Sequence, residues 1–126
     1  MSTVKIKTSE LTGAALDWAV AKCEAERLTV PYGGKSFLDG VVVHPDYNKF
    51  YPSTDWAQGG PIIEREAVHL FQQESTSEWT ASLPRDTKVG WRILRYGPTP
   101  LIAAMRCYVA SKLGDEVEIP EELTGA

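Results

Sequence analysis

The sequence predicts an α+β fold in which two main helices pack a small antiparallel sheet, an αβα-like sandwich. Three observations lead there. Apolar residues recur at helical spacing in two segments near the ends of the chain, 13–25 and 100–113. Short alternating or β-branched runs stand before and between them. The polar stretch Gln73–Glu78 separates two such runs at a distance suited to a hairpin.

Thr3–Lys7 alternates, with Val4 and Ile6 on one face, and reads as a strand. Thr12 caps a helix over 13–25 that is apolar or small around most of its circumference, with Leu16, Ala19, Val20 and Cys23 on one stripe and Ala14, Trp18, Ala21 and Ala25 on another. Arg27–Val30 reads as a strand stopped by Pro31, and Tyr32–Lys35 as a turn. Gly40–His44 is a strand by its three valines, and 45–52 a loop that leaves Tyr47, Phe50 and Tyr51 exposed or half-buried. Ser53 or Thr54 caps a helical turn beginning at Asp55. Gly59-Gly60 interrupts it, and Pro61–Glu66 makes a second turn with Pro61 at the first position. Ala67–Gln72 and Trp79–Leu83 form the hairpin, Pro84–Lys88 is a loop, and Trp91–Leu94 is irregular or a weak strand. Thr99 caps the last helix and Pro100 opens it. Leu101, Ile102, Met105, Tyr108, Val109 and Leu113 form a single stripe, and Gly114 is its C-cap. Val117–Ile119 is short and leads into a polar tail.

The 126 residues suit one domain, 1–126, with residues 114–126 as an acidic C-terminal tail. That tail holds five of the seventeen acids and no base, so the first 113 residues carry thirteen bases against twelve acids although the whole chain is at −4. Arg85, Lys88, Arg92, Arg95 and Arg106 offer a local positive patch that suits a small anionic ligand better than duplex DNA. The last helix carries only Arg106 and Lys112 as bases, too few for a recognition helix. No run of about 18 apolar residues is present and the N-terminus lacks a signal-peptide stretch, so the expected location is the cytoplasm, away from any membrane. Cys23 and Cys107 read as small buried hydrophobes.

Candidate chemistry concentrates in 51–66, YPSTDWAQGGPIIERE. The glycines allow close approach to the main chain, and a helix starting behind them at Pro61 would offer free N–H groups to an anion. Asp55 is a cap or an acceptor for hydroxyls. Trp56 is a core residue or a stacking platform, with Tyr51 and Tyr47 as an opposite wall. Arg65 is an ion-pair partner of its flanking acids or a fork for phosphate. If this block faces 97–106, Arg65 and Arg106 clamp one anion, and the helix start at Thr99 adds donors. The expected ligand-binding set is Tyr51, Ser53, Thr54, Asp55, Trp56, Gln58, Gly59, Gly60, Arg65, Thr99 and Arg106. His44 and His69 lack metal-ligand spacing, no P-loop or nucleophile elbow supports a Ser53–His69–Asp55 triad, and Glu64 and Glu66 diverge on a helix. Neither catalysis nor a metal or cofactor is expected.

The blocks KIKTSELTGAALDWAVAKCE, YPSTDWAQGGPIIERE and GPTPLIAAMRCYVASKLGDEVEIP resemble NinX-type phage proteins, and more loosely phage domains described as αβα sandwiches. The resemblance covers about half the chain. It implies a phage origin and the host cytoplasm, and it implies no biochemical activity. In that context the expected function is sequestration, without catalysis, of a small nucleotide-like ligand such as a host immune signal, in a deep pocket between 51–66 and 97–106 often completed across a homo-oligomer. The alternative is a protein-interaction module with an exposed apolar patch around Tyr47, Phe50 and Tyr51. An enzyme holding a metal at Asp55 and Glu64 ranks third.

Overall fold

A computed structural model describes residues 3–27, 37–38, 41–42, 50–86 and 91–124. The first strand, β1 (Thr3–Lys7), pairs antiparallel with the last, β7 (Glu116–Pro120). Val4 and Ile6 lie opposite Ile119 and Val117, and the latter two are buried. Lys5 and Lys7 lie opposite Glu118 and Glu116, so the other face carries two opposite-charge cross-strand pairs. Part of the acidic segment is thus a paired strand, and a 3₁₀ turn follows it at Glu121–Leu123.

Helix α1 (Gly13–Arg27) follows a 3₁₀ turn at Thr8–Glu10 and buries Leu16, Ala19, Val20 and Cys23 of one expected stripe and Trp18 and Ala21 of the other, while Ala14 at its start is exposed. It continues through Arg27, so a strand does not begin there, and residues 28–30 lie outside the described set. The turn at 32–35 and Tyr47 lie outside it as well. Of the valine run, Val41–Val42 forms β3, paired with β2 (Phe37–Leu38).

The segment 56–66 is one continuous helix, α2 (Trp56–Glu66), where two turns were expected. Its cap is Asp55, whose Oδ1 accepts from the Ala57 N–H at 3.0 Å, and not Ser53 or Thr54. Pro61 therefore sits inside the helix. Interior glycine costs about 1 kcal/mol and interior proline about 3 kcal/mol, so tertiary contacts hold this helix together. Ile62 is buried, and Gly59 lies so close to Pro52 and Leu101 that a Cβ there would stand 2.5 Å from the Pro52 carbonyl oxygen. Ala67 ends α2 in the left-handed region at φ 57°, so the next strand, β4 (His69–Gln72), starts later than expected.

Strand β4 pairs with β5 (Trp79–Asp86), and β5 with β6 (Trp91–Gly97), in a three-stranded antiparallel sheet. Strand β5 runs past Pro84 through an irregularity between Pro84 and Asp86, where a loop was expected, and the weak strand at 91–94 extends to Gly97. Pro84 is tolerated because the ladder is already irregular there.

Helix α3 (Pro100–Leu113) is capped by Thr99, whose Oγ1 accepts from the Ile102 N–H at 3.1 Å, and ends at Gly114 with φ 92°. It buries Ala103, Ala104, Cys107 and Ala110 besides its large apolar residues, so the single stripe understates it. It touches β5, β6, α1 and α2, which leaves it almost no solvent face. The α+β packing stands, with α3 against the three-stranded sheet and α1 against α3. Both cysteines are buried, as expected. Burial pushes the Cys107 thiol up to about 11, against the pull of Arg95 and Arg92.

Two arginines join this sheet to the turn after β1. Arg95 donates to the Leu94 carbonyl at 2.8 Å, to Asp115 Oδ1 at 3.0 Å and to Thr8 Oγ1 at 3.4 Å. Arg106 donates to the Tyr96 carbonyl at 2.7 Å and to the Leu11 carbonyl at 2.7 Å.

Candidate functional site

The 51–66 block is built as a rigid corner. The Tyr51 carbonyl accepts from the N–H groups of Thr54 and Asp55, both at 3.1 Å, which closes the turn before α2. Gln58 Oε1 accepts from the Tyr51 N–H at 2.7 Å and ties that turn to the helix. Thr54 Oγ1 donates to the Tyr51 carbonyl at 3.4 Å. Ser53 is buried, and its N–H donates to Asp17 Oδ1 on α1 at 2.9 Å. Burial raises the Asp17 carboxyl above the usual aspartate range, and the bond from Ser53 pulls it partly back. The Ser53 hydroxyl is buried without a hydrogen-bond partner.

The two aromatic residues of the corner face solvent, Trp56 at 54% and Tyr51 at 41% exposure. Trp56 is therefore not a core residue. Its indole passes over Gly60, where an added Cβ would stand 3.9 Å from Cε3, so the glycine leaves the ring room on the helix surface. Gly59 serves a different purpose, since what approaches its backbone is Pro52 and Leu101. The 51–66 and 97–106 blocks do meet there, and van der Waals contact fills the meeting point. Gly97 is equally close-packed, because a Cβ there would lie 2.8 Å from the Ala103 nitrogen.

The arginines are already engaged. Arg65 donates to both oxygens of Glu24, at 3.2 and 2.6 Å, to the Tyr108 hydroxyl at 3.1 Å and to Glu66 at 2.8 Å. Burial pulls the guanidinium down, but its bonds to Glu24 and Glu66 outweigh that and hold it more firmly charged. Tyr108 donates to Glu24 Oε2 at 2.5 Å, and burial together with this bond raises its phenol. Arg106 is turned to Leu11 and Tyr96, and burial lowers it against the pull of Glu78. Positions 106 and 108 differ by about 200° around a helix, so Arg106 and the Arg65–Tyr108 contact leave α3 in different directions.

The expected positive patch is likewise dispersed, with Arg92 on Ser82 and Arg95 on Asp115, and Lys88 lies outside the described residues. The expected apolar patch also differs, because Phe50 packs against the core. Phe71, Leu94 and Tyr96 of the three-stranded sheet are exposed instead. Sequence reasoning missed this face, although its alternation from Arg92 to Tyr96 is regular once β6 is read as a full strand. An open cleft of about 790 Å³ lies elsewhere, lined by Lys7, Ser9, Arg95, Asp115 and Glu116.

These features define a small α+β protein with solvent-facing aromatic residues on a rigid frame. Among the described residues no three His, Cys, Asp or Glu side chains gather to hold a metal, and no helix is long and apolar enough to cross a membrane. The chain belongs to the phage family described as Bacteriophage P22, NinX, whose model matches residues 7–112.

Proposed function

We propose that this phage protein acts by binding rather than by turnover, and that Tyr51 and Trp56 take a flat-ringed, nucleotide-derived ligand such as a host immune signal, in a homo-oligomer of the host cytoplasm. The observation that carries this reading is the pair of exposed rings at a tightly bonded helix start. A rigid aromatic platform loses little entropy on binding, and stacking on one ring contributes about 1–3 kcal/mol. Arg65 and Arg106 are committed to the protein, so the charged part of the ligand would be met by groups other than that pair.

Native mass spectrometry of protein purified from phage-infected bacteria tests the reading. The expected result is a nucleotide-sized adduct that denaturation releases and that Trp56→Ala lacks. A bare mass for the wild type, or an adduct that Trp56→Ala and Tyr51→Ala both retain, overturns it. A second reading, a module that binds a host or phage protein, draws on the exposed Phe71, Leu94 and Tyr96.

A further inference from the structure

The outer face of the three-stranded sheet carries more than apolar area. Phe71, Thr80 and Tyr96 form one cross-strand row, and His69, Ser82 and Leu94 the next. Side chains at paired positions share a face. Phe71 is 51% exposed, Leu94 43% and Tyr96 42%, while Leu70, Ala81, Leu83 and Ile93 point to the core.

Thr80, between the two rings, is only 2% exposed, and its hydroxyl has no hydrogen-bond partner. A buried hydroxyl without a partner is costly, and it offers both a donor and an acceptor. Beside the row, Arg92 is held by the 3.0 Å bond from its Nε to Ser82 Oγ. From Arg92 to Tyr96, and across to His69 and Phe71, no paired position of this face holds a carboxylate. Five of the chain's seventeen acids lie within residues 114–126.

Strands two apart in a sheet are separated by about 10 Å. A planar ring between two others at contact needs about 7 Å. Phe71 and Tyr96 are therefore far enough apart to take one base each, and a base between them would reach the covered Thr80 hydroxyl only once the rings part. A face with rings, an oriented guanidinium and no carboxylate at its described paired positions suits unpaired bases and their phosphates. It does not enter a duplex groove.

We propose that this face binds single-stranded nucleic acid, with bases on Phe71 and Tyr96, the Thr80 hydroxyl on a base edge and Arg92 on the backbone. The site is separate from the Tyr51–Trp56 corner. Fluorescence anisotropy with short labelled oligothymidylate and oligouridylate strands, at low and moderate salt, tests it. Phe71→Ala and Tyr96→Ala should each weaken binding about tenfold, within the range of one stacked base. Thr80→Val should weaken it less. Arg92→Ala should reduce the salt slope by about one phosphate. Trp56→Ala should leave binding unchanged, and circular dichroism should show all variants folded. No binding by the folded wild type, or binding that survives loss of both rings, overturns the proposal. So does a protein partner that is lost with Phe71→Ala while no strand binds.

Discussion

Asp17 shows how one buried acid supports a loop while carrying a penalty of its own. Its carboxylate accepts the Ser53 N–H, and burial raises its pKa above the ordinary 3.8. A raised acid holds its proton longer in the folded state than in the unfolded one, so stability falls as pH rises from the unfolded value through the folded one. Above that window the ionised form is the less favourable one. Asp17→Asn keeps an acceptor for Ser53 and removes the charge. Its thermal midpoint should exceed the wild type's at about pH 7, and the gap should narrow as pH falls toward about 4. A constant gap across that range would show that burial of the charge is not what Asp17 contributes. The Arg65 ion pair with a flanking acid was legible from sequence and is made with Glu66, but its other partner, Glu24, lies 41 residues away on α1. Local spacing reveals Glu64 and Glu66 but not that contact.

Helix α2 shows why the middle of the chain was less legible than its ends. The capped start at Thr99, the stop at Gly114 and the alternation of β1 follow from local rules, and the structure has them. Gly59-Gly60-Pro61 reads locally as a break, yet the helix runs through it because Gly59 must pack against Pro52 and Leu101. The two glycines should therefore respond oppositely to alanine. Gly59→Ala places a methyl 2.5 Å from the Pro52 carbonyl oxygen and 2.6 Å from Leu101 Cδ2, and overpacking of this kind costs about 1–3 kcal/mol. Gly60→Ala meets only the indole at 3.9 Å, so the better helix former should stabilise by up to about 1 kcal/mol. Urea midpoints of the two variants check this. Equal destabilisation would mean that the close contacts at Gly59 are not what separates the two positions. The aromatic corner was legible as a cluster, while the outer sheet face depended on the full length of β6.

Across the molecule, one polar cluster ties the three helices together. Glu24 of α1, Arg65 and Glu66 of α2, and Tyr108 of α3 are bonded to one another, and Lys112 reaches Glu66 at 3.6 Å. Removing one partner of a buried pair strands the other. Breaking a fully buried pair costs about 3–5 kcal/mol, and because Arg65 keeps a 30% exposed side chain, Glu24→Ala should cost less, about 2–4 kcal/mol. Tyr108→Phe, which deletes one hydroxyl, should cost about 1–2 kcal/mol. Chemical denaturation reads both, and losses under about 0.5 kcal/mol would reduce the cluster to a surface ion pair.

The arginines at β6 have a consequence for behaviour in a crowded cell. An open strand edge is a template on which other chains can add. At Leu94 and Tyr96 the acceptors such a chain would use are already occupied by Arg95 and Arg106, and the approach is guarded by two cations. A strand adding to β6 would have to displace both arginines from those carbonyls, which makes this edge a poor template for pairing.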